Sequence, residues 1–212
     1  MKLIVFDCDS TLSSIEGIDE LGRLAGEDTF LKVEALTNAA MNGEVPIDEV
    51  FAKRLAIISP STEDVKVVAQ QYIDTVEPTA LETLEKLKSA GWTPMILSGG
   101  FKVIIEPLAE YLGIERVEAV PLSFKHDGSY DNFDSSYPTT YNGGKPEIIE
   151  MLKKEFSPEK IVMVGDGVSD LETQNNVDSF IGYGGYTPRE RVKKEAAYFI
   201  TQLDEILDIL EL

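Results

Sequence analysis

The stretch KLIVFDCDST, residues 2–11, decides the fold. Leu3 to Phe6 are apolar without interruption, so no face is left for water. A strand of that kind is covered on both sides, as in a parallel sheet flanked by helices. Asp7 and Asp9 follow at its end, where an open α/β sheet presents its ligands. Two other apolar runs end in the same way: TPMILSGG at 93–100 leads into Ser98 and Gly99, and IVMVGDGVSD at 161–170 leads into Asp166 and Asp170.

Between the first run and the second the pattern is helical only. Ile15, Ile18 and Leu21, then Val33, Leu36, Ala40 and Met41, then Val50, Leu55 and Ile58, then Val65, Val68, Ala69 and Tyr72 recur at helical spacing. Ser61 with Asp64 three residues on is a helix N-terminal signal. After Pro78 helices and strands alternate. A helix carrying Leu81, Leu84 and Leu87 stops at Gly91, TPMILS is a strand, and 103–112 is a helix. One strand is expected around 116–124, a helix at 144–155, a strand at 161–166 and a short helix at 169–175. A strand at 179–184, a helix from Pro188, a short strand at 197–200 and a terminal helix complete the chain. KHDGSY at 125–130 carries the Asp-Gly signal of a hairpin.

Such alternation implies right-handed crossovers and a mostly parallel sheet. The expected architecture is a Rossmann-like α/β core formed by residues 1–13 and 76–212. A helical cap, residues 14–75, is inserted beside the first acidic loop, and a small β-hairpin forms a flap. An insertion so placed can act as a lid.

Composition narrows the chemistry. The 212 residues carry 38 acidic against 19 basic side chains, a formal charge of −19, which argues against nucleic acid and anionic membrane surfaces as partners. An anionic substrate then needs a local cation or bound metal to reverse the field. One cysteine, Cys8, excludes an internal disulfide, and one histidine, His126, excludes a histidine-rich metal cage. Met1 runs at once into a strand and no apolar stretch is long enough to span a bilayer, so the expectation is a cytoplasmic protein, and the sequence leaves monomer and homodimer both open.

Read alone, Asp7 and Asp9 fit two descriptions. On an extended backbone they lie on one face about 6–7 Å apart and can divide nucleophilic and proton-transfer roles, or Asp-Ser-Thr simply begins a turn. GDGVSD adds Asp166 at the end of a buried strand, and hard oxygen ligands from separate loops suit Mg²⁺. Asp170 is either part of that set or an acid in the first turn of a helix. Ser98-Gly99-Gly100 offers a hydroxyl and exposed N–H groups to a phosphate. Lys145 stands after Gly143-Gly144 at a helix start, where a cation is disfavoured by the helix dipole, which points to an anionic neighbour or to a solvated lysine. Other phosphate machinery is absent: Pro146 follows Lys145 where a P-loop needs Ser or Thr, DCDSTL stands where a dinucleotide fingerprint would lie, and no arginine closely follows Cys8.

Taken together, D-x-D-S-T, S-G-G, a lysine after Gly-Gly, and G-D-G-x-S-D in this order resemble the four motifs of the haloacid dehalogenase-like hydrolases. EGIDELGRLAG, AMNGEVPIDEVFAKRLAII and LSGGF are similar to the branch that acts on O-phospho-L-serine, and the likeness runs from residue 2 to about 200. The resemblance implies a Mg²⁺-dependent phosphatase releasing L-serine and phosphate. It makes Asp7 the nucleophile that forms an aspartyl-phosphate and Asp9 the acid and base, with a pKa above that of an ordinary Asp. Mg²⁺ is then held by Asp7, the Asp9 carbonyl and Asp166, supported by Asp170. Ser98, Gly99 and Lys145 hold the phosphoryl oxygens, with Ser169 where relatives carry Asn or Thr. Glu16 meets the substrate ammonium, Arg54 its carboxylate, and Met41 packs nearby. A phosphatase or phosphotransferase acting on another small phosphomonoester is the alternative, and a non-catalytic phosphate- or metal-binding module is a third reading.

Overall fold

Strand β1, Lys2–Phe6, runs along the middle of a six-stranded sheet in the computed structural model, which describes residues 1–41 and 47–212, with side chains of residues 37–48 outside that description. The other strands of this sheet are β2 (Trp92–Phe101), β3 (Arg116–Val120), β6 (Lys160–Gly165), β7 (Ser179–Tyr183) and β8 (Tyr198–Ile200). Their order is β3-β2-β1-β6-β7-β8, and every neighbouring pair is parallel. β1 explains why an uninterrupted apolar run was needed. Ile4 and Phe6 enter one core cluster while Leu3 and Val5 enter another on the opposite face. Each such side chain contributes roughly 1.5–3 kcal/mol by leaving water.

Helices α1 (Gly17–Leu24), α2 (Glu27–Met41), α3 (Ile47–Ile58) and α4 (Thr62–Asp74) lie between β1 and α5 (Ala80–Ser89). The chain enters and leaves this helical stretch through adjacent passes. Ser14 N donates to Thr75 O at 3.0 Å, Glu77 N donates to Leu12 O at 2.8 Å, and the Ser13 and Thr75 hydroxyls meet at 2.8 Å. α4 begins with the reciprocal cap read in the sequence: Asp64 N donates to Ser61 Oγ and Ser61 N to Asp64 Oδ2. Such a cap stabilises a helix by about 1 kcal/mol.

The remaining helices, α6 (Lys102–Tyr111), α7 (Gly144–Phe156), α8 (Val168–Leu171), α9 (Glu190–Glu195) and α10 (Glu205–Ile209), alternate with the strands as expected. Among the described residues no helix is long and apolar enough to cross a membrane.

Four local expectations are corrected. The single strand around 116–124 is two, β3 in the main sheet and β4 (Leu122–Phe124) paired antiparallel with β5 (Tyr130–Phe133). Pro121 separates them, because it has no N–H for a ladder. β2 does not stop at Ser98 but continues to Phe101 with a register shift after Leu97, so the Ser-Gly-Gly segment is an irregular strand end and not a free loop. Leu81 is 38% exposed, and Ala80 takes the inward place beside Leu84 and Leu87. The short helix at 169–175 is α8 followed by a 3₁₀ turn at Glu172–Asn175. The hairpin turn lies at Asp127-Gly128, where Gly128 has φ +83° and its carbonyl accepts from Thr62 N at 2.9 Å.

Candidate active site

The sheet reverses its winding between β1 and β6. β2 and β3 extend to one side of β1, β6 to β8 to the other, which makes the crevice beyond the ends of β1 and β6 the switch point of the fold. Phe6 is level with both Ile96 and Val164. The segments carrying Asp7, Ser98 and Asp166 therefore lie along one edge of the sheet. A cavity of about 200 Å³ opens there. Asp7, Asp9, Glu16, Arg54, Ser98, Gly99, Lys145, Asp166 and Ser169 all line it, so most residues read from the sequence meet at one place. Asp170 lies just behind, buried. Met41 lies outside the described side chains.

Lys145 is the electrostatic centre. Gly144 starts α7 so close to the preceding turn that a Cβ there would sit 1.7 Å from Pro138 O, and this contact seats the following lysine inward. Lys145 Nζ lies 2.9 Å from Asp7 Oδ1 and 2.5 Å from Asp170 Oδ1. The anionic neighbour that the helix dipole called for is thus a pair of carboxylates. Burial opposes the lysine's charge, but Asp170 and Asp7 outweigh it and hold its pKa above the usual value. Cys8 N also donates to Asp7 Oδ1, at 2.8 Å. Cys8 itself is packed in the core, and burial raises its thiol pKa, so it offers no thiolate.

The second Asp of the first loop is gripped at both oxygens. Tyr72 Oη donates to Asp9 Oδ1 at 2.6 Å, and Gly17 N donates to Oδ2 at 3.1 Å. Burial, then the Glu16 and Asp7 charges, push the Asp9 pKa well above the ordinary carboxylate value. Asp166 is pushed up to about 8, first by burial and then by Asp7 and Asp170, against Arg189, whose Nε lies 3.1 Å from Asp166 Oδ2. Asp170 is raised to about 7 by burial and Asp7, against Lys145 and the Gly167 N–H. These upward shifts report carboxylates crowded out of water, a state that a cation relieves. Asp7, Asp166 and Asp170 each bring an oxygen within 4.8 Å of the others, and hard carboxylate donors fit a divalent metal. Asp170 already accepts from Lys145 and Gly167 N, which suits it to supporting the other two.

At the mouth, Ser10 Oγ donates to Glu16 Oε1 at 2.6 Å. Burial raises the Glu16 pKa and lowers that of Arg54, whose charge is supported by Asp19 and Glu16. Arg189, Phe51 and Tyr72 touch the site without having been read as site residues in the sequence. Arg189 follows β7, another strand whose C-terminal loop enters the same edge, and this was the available signal. Phe51 stands one turn from Arg54 on α3 and packs edge-on against Phe101 and tilted against Phe133, ring centroids 5.7 and 5.2 Å away. Tyr72 reads in sequence as one more apolar position of a helix stripe, and nothing in the spacing distinguishes its hydroxyl.

Fold and site define a parallel α/β protein with a polar crevice at its strand ends, lined by carboxylates and a buried lysine. The chain belongs to the haloacid dehalogenase-like hydrolases, whose family model matches residues 1–178. It is 40% identical to the phosphoserine phosphatase of Bos taurus over 210 residues, 98% of this chain and 92% of the relative. A phosphoserine phosphohydrolase-like protein from Francisella tularensis superposes with a TM-score of 0.86 at 28% identity, covering 99% of this chain and 100% of the other. A phosphoserine phosphatase solved as a phospho-aspartyl intermediate analogue superposes at 0.81 and 29% identity, with 98% of both chains covered.

Proposed function

We propose that this chain is a Mg²⁺-dependent phosphatase that hydrolyses O-phospho-L-serine to L-serine and phosphate. The observation that carries the reading is the sharing of one cavity by the Asp7, Asp9 and Lys145 group and by Glu16 and Arg54. The first group suits phosphoryl transfer and the second suits a zwitterion. The likeness to phosphoserine phosphatases over nearly the whole chain supports the same substrate.

In the first half-reaction an Asp7 carboxylate oxygen attacks phosphorus as the bond to the serine oxygen breaks, and Asp9 gives that oxygen its proton. In the second, Asp9 takes a proton from the water that attacks the aspartyl-phosphate, which frees phosphate and regenerates Asp7. Lys145, Ser98 and the Gly99 N–H bind the phosphoryl oxygens as charge shifts among them, with Ser169 beside them. Asp7, the Asp9 carbonyl and Asp166 would hold Mg²⁺, backed by Asp170, and the ion when bound supplies positive charge to the phosphoryl oxygens. Glu16 pairs with the substrate ammonium and Arg54 with its carboxylate, Met41 packing alongside.

In this reading residues 14–75 are a cap over a core of residues 1–13 and 76–212. The paired passes at 12–14 and 75–77 are the hinge, and the β4–β5 hairpin is a flap. Phe51, packed edge-on against Phe101 and tilted against Phe133, supports a contact among lid, core and flap. Phosphate release from L-phosphoserine, D-phosphoserine, phosphoethanolamine and a sugar phosphate, each with Mg²⁺ and with a chelator, tests the assignment. The expected result is Mg²⁺-dependent preference for L-phosphoserine, with no turnover by Asp7→Asn. Turnover of other esters alone would discard the substrate, and phosphate transfer to an added alcohol would make the enzyme a phosphotransferase.

A further inference from the structure

Asp9 has to serve in both half-reactions, so its side chain must stay aimed at the reacting oxygens while its own proton comes and goes. Among the described residues, the donors that reach its carboxylate come not from its own loop but from the inserted helices: Gly17 N from the start of α1 and Tyr72 Oη from the last turn of α4. Tyr72 is 1% exposed. Its approach depends on the absence of a side chain at residue 17, since a Cβ there would lie 2.4 Å from the phenolic oxygen. The end of α4 is itself tied to the segment after β1. Thr75 Oγ1 donates to Gln71 O at 2.7 Å and meets Ser13 Oγ at 2.8 Å, and Ser14 N donates to Thr75 O. Tyr72 is therefore placed against Asp9 by a chain of short contacts.

We propose that Tyr72 is a positioning residue for Asp9, its hydroxyl fixing the carboxylate in the orientation used for proton transfer to the leaving group and from water. The proposal rests on the catalytic reading of Asp9 given above, though not on the identity of the substrate. The phenol suits the task because a hydroxyl both donates and accepts, so the contact survives either form of the carboxyl group. Tyr72→Phe keeps the ring and its packing and removes one oxygen.

The test compares the unmodified protein with Tyr72→Phe on L-phosphoserine and on p-nitrophenyl phosphate, in the steady state and in the first turnover. Serine leaves as a poor leaving group that needs a proton, whereas nitrophenolate needs none. We expect kcat on L-phosphoserine to fall roughly 30-fold, part of the factor of about 10²–10⁴ that general acid–base catalysis contributes, with KM within about twofold. On p-nitrophenyl phosphate, first-turnover release should stay within about threefold, as a burst near one per active site before a slowed steady state. Gly17→Ala, which displaces the hydroxyl without removing it, should lower kcat similarly, and the double variant should be no worse than Tyr72→Phe.

Steady-state rates within twofold of the unmodified protein would overturn the proposal. So would a burst amplitude reduced in step with activity, which marks a loss of folded sites. Hydrolysis of p-nitrophenyl phosphate but not of phosphoserine by the unmodified protein would reject the substrate and leave the Tyr72 test intact. No phosphomonoester hydrolysis at all would overturn both.

Discussion

Lys145 Nζ stands 2.9 Å from Asp7 Oδ1 and 2.5 Å from Asp170 Oδ1, with the side chain only 5% exposed. A buried cation between two buried carboxylates is expensive to break from one side, because the acids are left without a counter-charge. Lys145→Met should destabilise the fold by about 3–5 kcal/mol and remove most activity. Adding Asp170→Asn should restore much of the thermal midpoint but not the turnover, because on the proposed function the phosphoryl oxygens would still lack the lysine. Denaturation and phosphate-release assays on the single and double variants check this.

On the proposed function, Arg54→Ala should separate substrate recognition from chemistry. Loss of a charge-assisted contact to the substrate carboxylate should lower kcat/KM for L-phosphoserine roughly 10- to 150-fold. A phosphate ester that lacks a carboxylate should be affected little. Equal losses on both substrates would show that Arg54 does not read the carboxylate.

Gly144→Ala places a methyl group onto the Pro138 carbonyl, which is backbone and cannot rotate away. The start of α7 must shift, at a cost of about 1–3 kcal/mol, and it takes Lys145 with it. Activity should fall much more than stability, and a crystal structure of the variant should show Lys145 withdrawn from Asp7.

Without a divalent cation the acidic cluster should make stability depend on pH. Asp166 and Asp170 have folded-state pKa values of about 8 and about 7, both above the usual carboxylate value. The folded protein therefore keeps protons that the unfolded chain releases. Their contribution is fully present below about pH 4, the unfolded pKa, and is lost as pH rises through 7 and 8. In chelator, the thermal midpoint should drop between pH 5.5 and 8.5, and the gain on adding Mg²⁺ should be larger at pH 8.5. Asp166→Asn should flatten the chelator profile.

Much of the architecture was legible because burial on two faces leaves a mark in composition. Leu3 to Phe6 could be recognised as a central strand from four residues, and the loops at the ends of β1, β2 and β6 followed from the same pattern. The split at Pro121 was also written in the chain, as a missing N–H. The register shift in β2 was not, since Ser-Gly-Gly is compatible with a loop and with an irregular strand. Arg189 and Tyr72 lay outside any motif. One is carried in by a further strand end, and the other reaches Asp9 from a helix whose spacing reports only that its face is buried.

By itself the sequence determined which residues end buried strands and which stretch is helical, and its single cysteine and single histidine pointed the expected chemistry to carboxylates. Those are local properties, set by hydrophobic period, turn chemistry and residue type. The tertiary structure decided which charges share a cavity. It set Lys145 between Asp7 and Asp170, Arg189 on Asp166, and Tyr72 with Gly17 on Asp9. Motif order pointed Asp7, Lys145 and Asp170 to one site, but their atom-to-atom pairing, and the contacts of Arg189 and Tyr72, depend on strand order and on backbone approaches of a few ångströms between residues as far as 138 positions apart (Asp7 and Lys145).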